Sequence, residues 1–223
     1  MNAVSIVVLL SAAAATVGLV LYVQWFLPRQ LEQRFIESMR AFSKAIELRF
    51  PNSTGRTDEI MGVAKSIGKR FGYTRAELHG LELSVYLRDI GCCSIPYHPF
   101  NDKPRSAWTE YESRIFERHP EVSGAMLELV PSVRHIAGTV RWHHARFDGR
   151  NVPGAPIGLD LPLNARILKI ASDYVWLSSE LGAGSAARVI QAGAGAEYCP
   201  EVVVEFVQML TSTRVIEPNP SLA

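Results

Sequence analysis

"TRAELHGLELSVYLRDIGCCSIP", residues 74–96, is the stretch that decides the fold. Thr74 followed by Glu77 is a capping box, in which the two side chains satisfy each other's backbone N–H groups where a helix begins. An apolar helical run then continues through Leu87 and stops at a charged pair, Arg88-Asp89. Gly91, Cys92, Cys93 and Pro96 follow, residues that end a helix rather than prolong it. The segment therefore predicts an apolar helix that delivers a carboxylate, Asp89, at its carboxyl end.

The pattern repeats on both sides. Upstream, residues 57–71 carry Ile60, Val63, Ala64, Ile67 and Phe71 on one helical stripe, and residues 29–49 do the same with Leu31, Phe35, Met39, Phe42 and Ile46. Pro51-Asn52-Ser53-Thr54-Gly55 breaks the chain between them. Downstream, residues 95–107 read as loop, and Thr109 with Glu112 forms a second capping box opening a helix toward Arg118 that His119 closes. Residues 122–145 read as one or two helices, 147–162 as a Gly/Pro loop, 163–180 as a helix and 200–211 as a last helix. Period-two alternation is absent, so the predicted fold class is all-α.

The front of the chain differs. The first charged residue is Arg29, and residues 4–27 form a 24-residue apolar run closed by Tyr22, Trp25 and Phe26. At about 1.5 Å per residue it exceeds a bilayer core of about 30 Å. A cleaved signal peptide needs a basic amino-terminal region and a shorter apolar core. The expectation is one transmembrane anchor over 1–28, a juxtamembrane helix over 29–52 and a domain over 53–223. Arg29, Arg34 and Arg40 follow the span, so the positive-inside bias puts the domain in the cytosol, at the inner (cytoplasmic) membrane. Three cysteines, two of them adjacent, give no disulfide framework and suit a reducing compartment. A net charge of +1 argues against a nucleic-acid binder. The stripe on 29–49, held next to a membrane, is a candidate homodimer seam, the alternative being that it covers its own domain.

Asp89 and His119 at helix ends, the adjacent His143 and His144, and Asp173 in mid-helix are the polar residues that matter, because imidazole and carboxylate together suit iron, manganese or zinc. In order and spacing the chain resembles the HD-GYP family, the cyclic-di-GMP phosphodiesterase branch of the HD phosphohydrolases, over about residues 40–210. LRDIGCCSIP is similar to LHDIGK-x-x-IP, RHPEVSGAML to the family's His-Pro segment, and HHARFDGRNVPGAPIGLDLPLNARIL matches HHExxDGxGYPxGLxGxxIPLxARIL without a gap. The resemblance implies an HD-type helical bundle behind the transmembrane helix. It implies metal ligands at Glu47, Asp89, His119, His143, His144 and Asp173.

The same resemblance exposes losses. Arg56 and Arg88 stand where the family has histidine ligands, Cys92 where it has a phosphate-contacting lysine, and Ala145 where it has a glutamate. Asn151-Val152-Pro153 replaces the Gly-Tyr-Pro signature, and Leu181–Gly184 replaces an arginine-rich stretch. Arginine is protonated at all relevant pH and has no lone pair for a metal. One implied site thus survives as a single-metal set (Asp89, His119, His143, His144), while Glu47 and Asp173 are remnants of the other. The expected function is a pseudoenzyme that binds a protein partner in a signalling pathway or cyclic-di-GMP. The alternative is a phosphodiesterase or other phosphohydrolase with a reduced single-metal site. Arg56 and Arg88 are expected to point at Glu47, Asp89 and Asp173, supplying the charge of the missing ion.

Overall fold

The structure, a computed structural model, describes residues 2–50, 56–98, 100, 102–103 and 105–216. All regular structure among these residues is helical, apart from one isolated bridge between Ala194 and Tyr198, as the missing alternation predicts. The break expected at 51–55 lies outside the described residues, as do parts of the 95–107 loop. The chain divides into two compact units, Met1–Ala41 and Phe42–Ala223.

The first unit holds α1 (Ala3–Leu21), a π-helical turn (Tyr22–Phe26) and the start of α2 (Leu27–Arg49). The π turn has a local cause. Pro28 has no N–H for the carbonyl four residues back and its ring crowds that carbonyl. The helix widens by one residue instead, and the Leu27 N–H bonds to the Tyr22 carbonyl. The continuous helix is long and apolar enough to cross a membrane.

The second unit opens with the end of α2 and continues through α3 (Thr57–Arg70), α4 (Arg75–Leu87), α5 (Glu110–Phe116) and α6 (His119–Glu128). It is completed by α7 (Ala137–Arg141), α8 (Leu163–Leu181), α9 (Ala183–Ala192) and α10 (Pro200–Ile216). Both capping boxes form: Glu77 accepts from the Thr74 N–H at 2.7 Å, and Glu112 from the Thr109 N–H at 2.7 Å. The α3 stripe is buried at Ile60, Ala64 and Ile67, against Leu81, Leu83 and Leu87 of α4 and Ile167, Leu168 and Ile170 of α8 in one core. The α2 stripe divides: Ile46 lies in the core of the second unit, and Phe42 is exposed.

Two differences from the sequence expectation matter. His119 does not close the fifth helix but opens the sixth, with Pro120 in the first turn, where its missing N–H costs nothing. And α9 was not expected: Gly182, with φ of 79°, ends α8 and a new helix starts at once, burying Ala186 and Ile190.

Candidate metal centre

Asp89 follows α4 directly and leads into a 3-10 turn, Ile90–Ser94. Two devices press this turn onto α6. The Ser123 hydroxyl donates to the Arg88 carbonyl at 2.9 Å and accepts from the Gly91 N–H at 2.8 Å. Gly91 leaves no room for a side chain, since a Cβ there would sit 2.2 Å from the His119 carbonyl oxygen. The result sets Asp89 against His119, with Asp89 Oδ1 and His119 Nε2 3.4 Å apart. The turn after α7 brings His143 and His144 alongside, with ring centroids 5.5 and 5.3 Å from His119.

Hydrogen bonds settle the imidazole tautomers. His119 Nδ1 lies 2.7 Å from the Phe116 carbonyl and His143 Nδ1 2.7 Å from the Val140 carbonyl. A carbonyl only accepts, so both Nδ1 atoms carry a proton, and in the neutral ring it is Nε2 that presents the lone pair. Those Nε2 atoms are buried and, among the described residues, neither is in hydrogen-bond geometry with a partner. Burial, then the neighbouring His119, push the His143 imidazole down to about 3, so it is neutral at physiological pH. Burial alone would raise the Asp89 carboxyl, but the Arg88 guanidinium and His119 outweigh it and hold it well below the usual carboxylate range. An ionised carboxylate thus lies beside buried imidazoles, an arrangement that a metal ion or a proton on Nε2 would complete. The donors of His119, His143 and His144 lie within 4.8 Å of one another, close enough for one ion. Of the four ligands expected from the sequence, the three histidines fall in one group of donors, and Asp89 joins His119 in a second, overlapping group.

The second set is not. Arg88 is buried, and its guanidinium lies 3.0 Å from Asp89 Oδ2, 2.8 Å from the Val85 carbonyl and 3.3 Å from the Thr57 hydroxyl. This fulfils the expectation for Arg88. Arg56 departs from it: its guanidinium donates to the Val175 carbonyl at 3.2 Å and lies over the Trp176 ring, and it has no carboxylate partner among the described residues. The cause is local, since Arg56 sits in the left-handed region (φ 55°) just ahead of α3, which turns its side chain toward α8. Glu47 is held by Lys44 at 2.6 Å and accepts from the Thr57 N–H at 2.9 Å, so it caps α3. Asp173 is held by Lys169 at 2.8 Å and by the Tyr198 hydroxyl at 3.0 Å. Each acid therefore has its own cation, and the three do not share a common pair of arginines.

A cavity of about 560 Å³ adjoins the histidines, lined by His119 and His144 together with Arg114, Arg118, Lys169 and Asn151. Arg114 and Arg118 supply positive charge on its wall, offset in part by Glu117, and Lys169 is already paired with Asp173.

A family model described as "HD domain" matches residues 40–202. The chain belongs to the HD domain family. It is 29% identical over 150 residues to the cyclic di-GMP phosphodiesterase response regulator RpfG of Xanthomonas campestris, covering 65% of this chain and 38% of that one. It is 24% identical over 151 residues to 3'3'-cGAMP-specific phosphodiesterase 3 of Vibrio cholerae, covering 67% of this chain and 32% of that protein. The chain thus spans about a third of the length of these curated relatives. The fold is similar to that of a cyclic GMP-AMP-specific phosphodiesterase of V. cholerae, with a TM-score of 0.64 at 17% identity over 84% of this chain and 51% of that one. It is also similar to the PgpH HD domain of L. monocytogenes in complex with cyclic-di-AMP, with a TM-score of 0.53 at 15% identity over 80% of this chain and 98% of that one.

Four residues of this HD domain escaped the sequence reading. Ser123 and Gly91 fix the Asp89 turn, but a serine and a glycine in helical surroundings carry no signal of a long-range contact. Lys169 is buried, bonded to Asp173 and 3.3 Å from Glu197. Its spacing of four from Asp173 did mark a helix-face ion pair. Tyr198 joins the same network from the loop before α10, which no local pattern could foretell.

Proposed function

We propose that the chain is a membrane-anchored signalling domain of the HD-GYP type that has lost two-metal phosphodiester hydrolysis and acts by binding. The ligand is a cyclic dinucleotide or a protein partner, and the HD domain would keep one divalent ion, iron, manganese or zinc, on Asp89, His119, His143 and His144. One observation carries this. The two oxygens of Asp89 are divided, Oδ1 toward His119 and Oδ2 to the Arg88 guanidinium. A carboxylate bridging two metals needs both oxygens for metal, and two-metal hydrolysis needs ions about 3.5–4 Å apart. Arg88 holds the place of the second ion with a charge that cannot dissociate and cannot activate water.

When bound, a divalent ion supplies Lewis acidity to a phosphate oxygen or to water. The chain's own residues would fix that ion's place through the Nδ1 bonds of His119 and His143. Arg114 and Arg118, on the cavity wall, would face the phosphates of a ligand. A second reading, a phosphohydrolase working with a single ion, draws on that same cavity beside the orphaned Nε2 atoms. One experiment separates the two: full-length chain in detergent, loaded with manganese or iron, is assayed for binding and for hydrolysis of cyclic-di-GMP and 3'3'-cGAMP. Saturable binding without turnover, weakened in Arg118→Ala, supports the binding role. Turnover in the common range of about 1 to 10³ per second establishes the enzyme instead.

For topology we infer an amino end outside and residues 29–223 in the cytosol, from Arg29, Arg34 and Arg40 behind the span. A reporter fused after Ala223 that works only outside the cytosol contradicts it. The exposed Leu31 and Phe42 support a homodimer through residues 29–49, and crosslinking of the full chain in membranes that yields only monomer rules that out.

A further inference from the structure

The Cys92 thiol has no role in the function proposed above, yet it lies in the metal centre. Its sulfur, Asp89 and His119 form a second triplet of donor atoms, all within 4.8 Å of one another, that shares His119 with the three-histidine set. Cys92 is fully buried in the 3-10 turn, its N–H bonded to the Asp89 carbonyl at 2.9 Å. That bond sets the thiol and the carboxylate on one short loop, and the Gly91 contact presses the loop onto His119. The orphaned Nε2 atoms of His119 and His143, both more than nine-tenths buried, independently mark the spot as a cation site.

We propose that Cys92 is itself a metal ligand, so that the centre is a mixed thiolate, imidazole and carboxylate site selective for zinc over manganese. This rests on the single-ion site proposed above. Asp89, Cys92 and His119 make a three-donor set of the kind zinc accepts, with sulfur at about 2.3 Å and nitrogen at about 2.0 Å, and a water or substrate atom would complete the four. Thiolate is a soft donor that favours zinc and cobalt, whereas manganese and magnesium prefer oxygen. Binding requires the thiol to release its proton to solvent as the metal–sulfur bond forms, so one proton leaves per ion on this account. The ordinary alternative is that Cys92 is a core residue and no more, since it also packs against Ile46, Phe50, Phe100 and Phe116. That packing explains its burial, and the 3-10 spacing explains its nearness to Asp89; the approach of its sulfur to the buried His119 donor is what singles it out.

Cobalt separates the possibilities, because cobalt–thiolate bonds absorb strongly in the near ultraviolet and cobalt bound only by nitrogen and oxygen does not. The full chain, stripped of metal in detergent, is titrated with cobalt. Expected are visible ligand-field bands and a near-ultraviolet charge-transfer band, both saturating at one ion per chain. The charge-transfer band should vanish in Cys92→Ser while the ligand-field bands persist, and it should survive in Cys93→Ser, whose thiol is exposed. Competition should show zinc preferred to manganese, with the preference reduced by an order of magnitude or more in Cys92→Ser. Ligand-field bands without the charge-transfer band leave the single-ion site standing and overturn the role of Cys92. No cobalt binding at all overturns both.

Discussion

The two sides of the Asp89 carboxylate solve one electrostatic problem in different ways. On the Oδ1 side, the described residues gather a carboxylate oxygen and the buried Nε2 atoms of His119 and His143, with only a weak thiol donor beside them. On the Oδ2 side, Arg88 supplies a permanent cation and also donates to the Val85 carbonyl and the Thr57 hydroxyl. On the proposed account the first side takes its cation from outside the chain, whereas the second carries its own. A fold can thus keep half of a metal centre while the other half becomes an internal ion pair, and the helices around both need not move.

The largest effect should come from breaking the completed side. Arg88→Ala removes a buried cation and leaves Asp89 to burial, so the chain should lose roughly 3–5 kcal/mol in chemical denaturation. Arg56→Ala, with no acid to orphan, should cost less than about 1 kcal/mol. Equal losses would mean that the two arginines act as a pair after all.

The open side should respond to pH. In the folded, metal-free chain His143 is held at about 3. Unfolded histidine titrates near about 6.5. Between these values the unfolded chain binds the proton and the folded chain does not, so stability is full above about pH 6.5 and falls as pH is lowered. Denaturation of metal-stripped protein should show a loss of roughly 3 kcal/mol from pH 6.5 to 4, a slope that His143→Gln removes. Asp89 acts in the same direction only at lower pH, since its stabilisation is lost as pH falls below the ordinary carboxylate range. A flat profile would contradict the neutral, buried imidazole.

The hinge between the sides is Gly91. Gly91→Ala forces the Asp89 turn away from the His119 carbonyl and should cost about 1–3 kcal/mol. It should weaken metal binding even where the chain still folds. The smallest effect belongs to Lys44, partly exposed beside Glu47: Lys44→Ala should change stability by less than about 1 kcal/mol, because Glu47 keeps its bond to the Thr57 N–H.

The sequence made the helical class legible through the capping boxes and the stripes on α3, and it brought Asp89, His119, His143 and His144 together through motif order. It failed where geometry depends on neighbours. Arg56 and Arg88 read alike as replaced histidines, but one precedes α3 in a left-handed conformation and the other ends α4, so their side chains reach different surroundings. Asp173 reads as a remnant ligand from motif order, although Lys169 one turn earlier holds it. Cys92 read as a lost contact because its residue type differs from the family's. Only the turn on which it sits shows what its sulfur faces.

The central claim is that one ion site remains and the other is filled by Arg88. Elemental analysis of the full chain, metal-stripped, reloaded with zinc or manganese and freed of excess by gel filtration, tests it most directly. One ion per chain is expected, falling to none in His119→Ala and His143→Ala, whereas two ions per chain, or none in the unaltered protein, would contradict it.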